Sequence, residues 1–130
     1  MTKGDAFSCS FVVDLDTYRG FISIFKDRNP LHTDTKFAEG KGFAGIVMHG
    51  NILNGFLSFF VGELLPVKNV LIHSQEIQYS KPVYLNDQLT LRAEVTEVIE
   101  SVHAVEFKYY FENQHKIRVA KGKIQIGILP

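Results

Sequence analysis

Two short stretches hold the side chains whose types and spacing could do chemistry. The first is Asp27-Arg28-Asn29-Pro30-Leu31-His32, a carboxylate and an imidazole on one turn. The second is Phe43-Ala44-Gly45-Ile46-Val47-Met48-His49-Gly50, which ends in a histidine and a glycine just before the apolar segment Ile52 to Leu65. A carboxylate and an imidazole together can hold a water molecule and move a proton. A glycine at a helix start leaves a free backbone N–H in a region carrying about half a positive charge, with no Cβ in the way. Aimed at a developing oxyanion, such a donor can be worth about 3 kcal/mol. The two stretches are read as one active site, an acid/base pair facing a backbone amide. Pro30 stiffens the backbone between Asp27 and His32.

The elements that must position these groups follow from hydrophobic periodicity. Phe7, Cys9, Phe11 and Val13 alternate with Ser8, Ser10 and Val12, which predicts a strand. Asp14 or Asp16 can cap a helix in which Tyr18, Phe21, Ile22 and Phe25 fall on one face. Asn29-Pro30 interrupts it, because a residue before proline avoids the helical region. Asp34 can cap a short second helix through Phe37 and Ala38, and Glu39 to Gly45 is expected to be a loop. From Ile52 to Leu65 apolar positions cover most of the circumference, which predicts a helix buried nearly all round. Gly55 within it is expected to mark close packing against a sheet.

Strands follow. Val70 to Tyr79 comes first, then a turn near Lys81-Pro82. Leu89, Leu91, Ala93 and Val95 share one parity; so do Val105, Phe107, Tyr109 and Phe111. Asn113 to Lys116 reads as a hairpin turn. In the last strand the apolar parity switches near Ala120, which predicts a bulge there. One buried helix and a long antiparallel meander make an α+β layout, with the sheet curled around the helix. Such a sheet leaves an open face and free edges, so a homodimer or a dimer-based assembly is expected.

Composition bounds the function. The 130 residues suit one domain with one core. Lys+Arg and Asp+Glu balance at 14 each, so no charge excess points to nucleic acid or an anionic membrane. No apolar run approaches the roughly 20 residues of a membrane span, and the polar start Met1-Thr2-Lys3-Gly4-Asp5 has no signal-like core. The single cysteine, Cys9, excludes an internal disulfide and a multi-cysteine metal site. A cytoplasmic location is the expectation.

The element Asp27-x-Asn29-Pro30-x-His32, followed by Phe43…His49-Gly50, the segments Gln75 to Tyr79 and Lys81-Pro82-Val83…Asn86-Asp87, resembles the MaoC-like (R)-specific enoyl-CoA hydratase family of the hot-dog fold. The likeness covers roughly the whole chain. It implies a hydratase/dehydratase that adds water to a 2-enoyl thioester or removes it from a 3-hydroxyacyl thioester, on CoA or an acyl carrier protein. It implies Asp27 and His32 as the catalytic pair, Gly50 as the carbonyl-binding amide, Ser58 as a serine near the site and Asn29 as support for the turn. No cofactor and no metal is implied. Lys26 stands where the family often has glycine, and Asn51 where a small or apolar residue usually follows His-Gly; Asn54 adds a second amide.

Plainer readings stand beside these. His49 near the site is read as mainly structural, and Asp34 as a helix cap. Asp27, His32 and His49 lack a fourth partner for a metal. Lys81, Lys121 and Lys123 are read as solvated strand charges. The rival functions are a hot-dog acyl thioesterase and a non-catalytic acyl-thioester-binding subunit.

Overall fold

The computed structural model describes residues 1–130. The elements are β1 (Ala6–Val12), α1 (Leu15–Phe25), α2 (Pro30–Thr33), α3 (Thr35–Gly40), α4 (Asn51–Phe59), β2 (Val70–Tyr79), β3 (Gln88–Ile99), β4 (Ala104–Glu112) and β5 (Arg118–Ile128). α4 continues directly into a π-helical turn over Phe60–Leu64.

All five strands pair antiparallel in one sheet, in the order β1-β3-β4-β5-β2. The meander therefore holds only for β3, β4 and β5. β2 crosses to the far edge beside β5, and β1 occupies the other edge beside β3. The helix preceding β2 carries the chain across the sheet, so β2 is delivered to the opposite edge. The expected alternation is met: Leu89, Leu91, Ala93, Val95, Val105, Phe107, Tyr109 and Phe111 are all buried. The ladder skips a residue at Val119, between the pairs Phe111↔Ala120 and Glu112↔Arg118. That bulge lets Val119 and Ala120, consecutive in sequence, both turn inward.

The core is one cluster of 21 buried residues between the concave sheet face and one side of α4. Phe7, Phe60 and Phe107 meet edge to face at its centre, with centroids 5.8 to 6.1 Å apart. Such pairs contribute about 1 kcal/mol beyond their burial. The helix is not buried all round. Ile52, Leu53, Leu57, Phe60, Val61 and Leu65 face the core, while Gly55, Ser58, Phe59, Gly62 and Leu64 are exposed. One chain's sheet covers one side only. A Cβ at Gly55 would meet nothing within 4 Å, so this glycine does not serve close packing against the sheet.

Caps fall where side-chain chemistry allows. Asp14, not Asp16, caps α1 by accepting from the Thr17 N–H at 2.8 Å. Asp34 caps α3 by accepting from the Phe37 N–H at 3.1 Å. α3 runs on to Gly40, so the loop begins later than the glycines alone suggest. α1 ends at Lys26, which adopts a left-handed backbone (φ 65°) that a side chain disfavours by about 1 kcal/mol. Lys26→Gly is expected to raise stability by about 0.5–1 kcal/mol, and Lys26→Val to lower it by more than that. Urea unfolding of the two variants checks this; a stabilised valine variant would be incompatible with the strain.

Candidate active site

The turn carrying Asp27 and His32 is built from short-range hydrogen bonds. Asp27 Oδ1 accepts from the Asn29 N–H at 3.1 Å, and Asn29 Oδ1 accepts from the Leu31 N–H at 3.0 Å. Asn29 is thus the cap of α2, with Pro30 preset in the first helical position. His32 N–H donates to Asn29 O at 2.8 Å, and the Tyr18 hydroxyl donates to His32 O at 2.5 Å. Burial pushes the Tyr18 hydroxyl pKa up, which keeps it a donor.

The loop leading into α4 is tied to this turn. Val47 N–H donates to Leu31 O at 3.0 Å, and His32 Nδ1 donates back to Val47 O at 2.6 Å. His49 Nε2 donates to Asp27 O at 2.8 Å. The His32 and His49 rings stack with centroids 4.0 Å apart, and Phe21 packs 4.6 Å from His49 on its own side. Met48 N–H donates to Val83 O at 2.8 Å, which anchors the loop to the segment after β2. These bonds hold His32 Nε2 3.9 Å from Asp27 Oδ2. Since Nδ1 donates to a carbonyl, Nε2 of the neutral ring carries the free lone pair.

At the start of α4 neither the Gly50 nor the Asn51 N–H donates to any group in the chain. The Gly50 backbone is ordinary right-handed helix (φ −58°, ψ −33°), so conformation does not demand glycine there. Space does: a Cβ would stand 2.8 Å from the Tyr79 ring. Asp27, His32, His49, Gly50 and Tyr79 line a cavity of about 520 Å³. A second cavity of about 780 Å³ runs between α1 and α4 and shares Phe21, Asp27 and Asn51 with the first. A third depression, of about 820 Å³, lies on the outer face of the sheet and contains none of Asp27, His32 and Gly50.

Asp27, His32, His49 and Gly50, four of the six residues singled out in the sequence, therefore converge on one cavity. His49 is 2% exposed; its Nε2 is committed to the Asp27 carbonyl and its Nδ1 is buried without a partner. It positions the turn and presents no open group to a ligand. Asn29 spends its side-chain oxygen on the cap and lines neither cavity, so it too is support. Ser58 is not brought to the site. It is exposed on α4, eight residues beyond Gly50, which is about 12 Å of helix rise, and it lines neither cavity. Asp27, His32 and His49 offer donor atoms within 4.8 Å of one another. One ring nitrogen of each histidine is committed to a backbone carbonyl, His32 Nδ1 to Val47 and His49 Nε2 to Asp27. Sequence reasoning missed Tyr18, Phe21, Val47 and Tyr79. Tyr18 and Phe21 read only as a helix stripe, and Tyr79 only as the end of a strand.

A curled antiparallel sheet around a central helix, with a carboxylate and an imidazole at the mouth of that helix, defines a hot-dog fold with a polar site at the helix N-terminus. The chain belongs to the MaoC-like domain family, whose profile matches residues 8–114. It is 34% identical over 80 residues to an (R)-specific enoyl-CoA hydratase of Aeromonas caviae, covering 62% of this chain and 60% of that protein. It is 34% identical over 80 residues to a 3-hydroxybutyryl-CoA dehydratase of Methylorubrum extorquens, covering 62% of this chain and 51% of that protein. Among solved structures, the (R)-hydratase from A. caviae involved in PHA biosynthesis superposes with a TM-score of 0.90 at 24% identity, over 99% of this chain and 98% of that one. The fold is thus shared nearly end to end, while the sequence matches span about three-fifths and half of the two curated relatives.

Gly50→Ala is expected to push the half-exposed Tyr79 ring aside at a cost of about 1 kcal/mol. Adding Tyr79→Ala should remove most of that cost, giving a coupling energy of about 0.5–1 kcal/mol in a double-mutant cycle of denaturant melts. Strict additivity would mean the ring is not the obstacle.

Proposed function

We propose that the protein is a hydratase/dehydratase acting on 2-enoyl and 3-hydroxyacyl thioesters. The observation that carries this is the 3.9 Å gap between Asp27 Oδ2 and His32 Nε2, in one cavity with the free Gly50 N–H. Two acceptors at that separation can each take one hydrogen of a single water. The water oxygen bonds C3 as Asp27 accepts the proton it loses. The double-bond electrons move onto the thioester oxygen, where the Gly50 N–H stabilises the enolate. The acid/base pair then returns the proton to C2, and the carbonyl reforms. One O–H and one π bond break; one C–O and one C–H bond form. Dehydration is the same path reversed. The substrate class is an acyl thioester of CoA, in keeping with the names of the two relatives above, or of an acyl carrier protein.

Asp27→Asn removes the base and His32→Ala removes the second water partner. Each is expected to lower hydration of crotonyl-CoA by about 10²–10⁴-fold while the protein still melts cooperatively. Loss of enoyl absorbance in steady state measures this. Wild-type rates in either variant would end the assignment, and thiol release from saturated acyl-CoA instead of hydration would favour a thioesterase.

A homodimer is part of the same reading. Phe59 and Leu64 on the uncovered helix face are 48% and 40% exposed, and Leu71 on the edge strand β2 is 43% exposed. A second copy pairing along β2 would cover both. Sedimentation equilibrium is expected to give twice the 14.7 kDa chain mass. A glutamate in place of Leu71 should shift the protein toward monomer; a monomeric wild type would refute the reading.

A further inference from the structure

Asn51 and Asn54 are amides on a helix whose other groove-facing side chains, Ile52 and Phe56, are apolar. They belong to a directional hydrogen-bond relay. Gln75 Nε2, on β2, donates to Asn54 Oδ1. Asn54 Nδ2 donates to Asn51 Oδ1 at 2.8 Å and reaches the Tyr79 hydroxyl at 3.5 Å. Asn54, in the middle, accepts from Gln75 and donates to Asn51. The relay ends at Asn51 Nδ2, which has no acceptor in the protein. Asn51 is therefore held with its N–H2 outward and unspent.

Its location gives that donor a use. Asn51 lines both the cavity of Asp27, His32 and Gly50 and the groove between α1 and α4. Gly50 lines only the first; Asp27 lines both. With the thioester oxygen at Gly50 and C3 beside Asp27, the groove opens from the C3 end and receives the chain beyond it. Its α1 wall is apolar at Phe21, Ile24 and Phe25 and polar at Asp16 and Thr17. We propose that Asn51, oriented by Asn54 and Gln75, is a specificity residue that recognises an oxygen acceptor, an ether, hydroxyl or carbonyl, on the acyl chain just past C3. The preferred substrates are then oxygen-bearing acyl thioesters, not plain alkyl ones. This rests on the hydratase reading for the direction of the acyl chain.

The test is a ratio of affinities for two saturated ligands of equal length, hexanoyl-CoA and 4-methoxybutanoyl-CoA. They differ by one CH2 replaced by an ether oxygen that can only accept. Calorimetric titration needs no turnover. Asn51→Leu is expected to shift the ratio about tenfold toward hexanoyl-CoA, the loss of one hydrogen bond. Gln75→Glu should do the same with Asn51 intact, because a carboxylate only accepts and would reverse the relay, turning Asn51 Oδ1 outward. A general loss of structure would weaken both ligands together and leave the ratio unmoved. A ratio within twofold of wild type in either variant overturns the proposal. Hydration of 2-hexenoyl-CoA by the wild-type protein is followed separately: its absence counts against the hydratase reading, while the binding ratio still decides on Asn51.

Discussion

The site depends on one cross-link between two segments that no single element contains. The turn from Asp27 to His32 and the loop from Val47 to Gly50 exchange hydrogen bonds in both directions. His32 Nδ1 donates to the Val47 carbonyl while the Val47 N–H donates to Leu31, and His49 returns a bond to the Asp27 carbonyl. Stacking of the two imidazoles closes the junction. Each bond of this kind contributes about 1 kcal/mol net, but together they fix relative positions that neither segment could hold alone.

Three consequences follow from that junction. The Nδ1 bond selects the tautomer of His32 and leaves Nε2 facing the Asp27 carboxylate. The His49 bond uses the main chain of Asp27 and the turn uses only Oδ1, so Oδ2 stays without a hydrogen bond on a side chain 48% exposed. The loop ends where α4 begins, so the free amides of its first residues share the cavity with the pair. The unpartnered Nδ1 of His49 is the cost: a buried polar atom without a partner is worth about 1–3 kcal/mol of destabilisation. Packing of the His49 ring against Phe21, with centroids 4.6 Å apart, offsets part of this.

The helix itself serves two faces. One side seals the core against the sheet, through Leu53, Leu57 and Phe60. At its N-terminal end the amides of Asn51 and Asn54 run toward β2, and Gln75 and Tyr79 meet them there. β2 is thus both a sheet edge and a wall of the site. Tyr79 occupies the space that a side chain at Gly50 would need, so the glycine and the tyrosine are one packing unit.

Much of this was legible in the residues. Strand parity was readable because inward and outward side chains alternate strictly, and the bulge at Val119 because the parity breaks there. Asp34 announced its cap, since a short polar side chain reaches only nearby amides, and Asn29-Pro30 announced the break after α1 but not that Asn29 caps α2. The closeness of Asp27 and His32 was legible because they lie on one turn. What the sequence could not decide is what lies across from what. The position of β2 beyond β5, the bond from His49 to the Asp27 carbonyl, the Tyr79 ring against Gly50 and the distance of Ser58 from the site all join residues far apart in the chain. The uncovered side of α4 is of the same kind, since apolar residues all round say only that a helix is to be covered. Periodicity is a local property of the chain, whereas coverage and long-range pairing exist only once the sheet has curled around the helix.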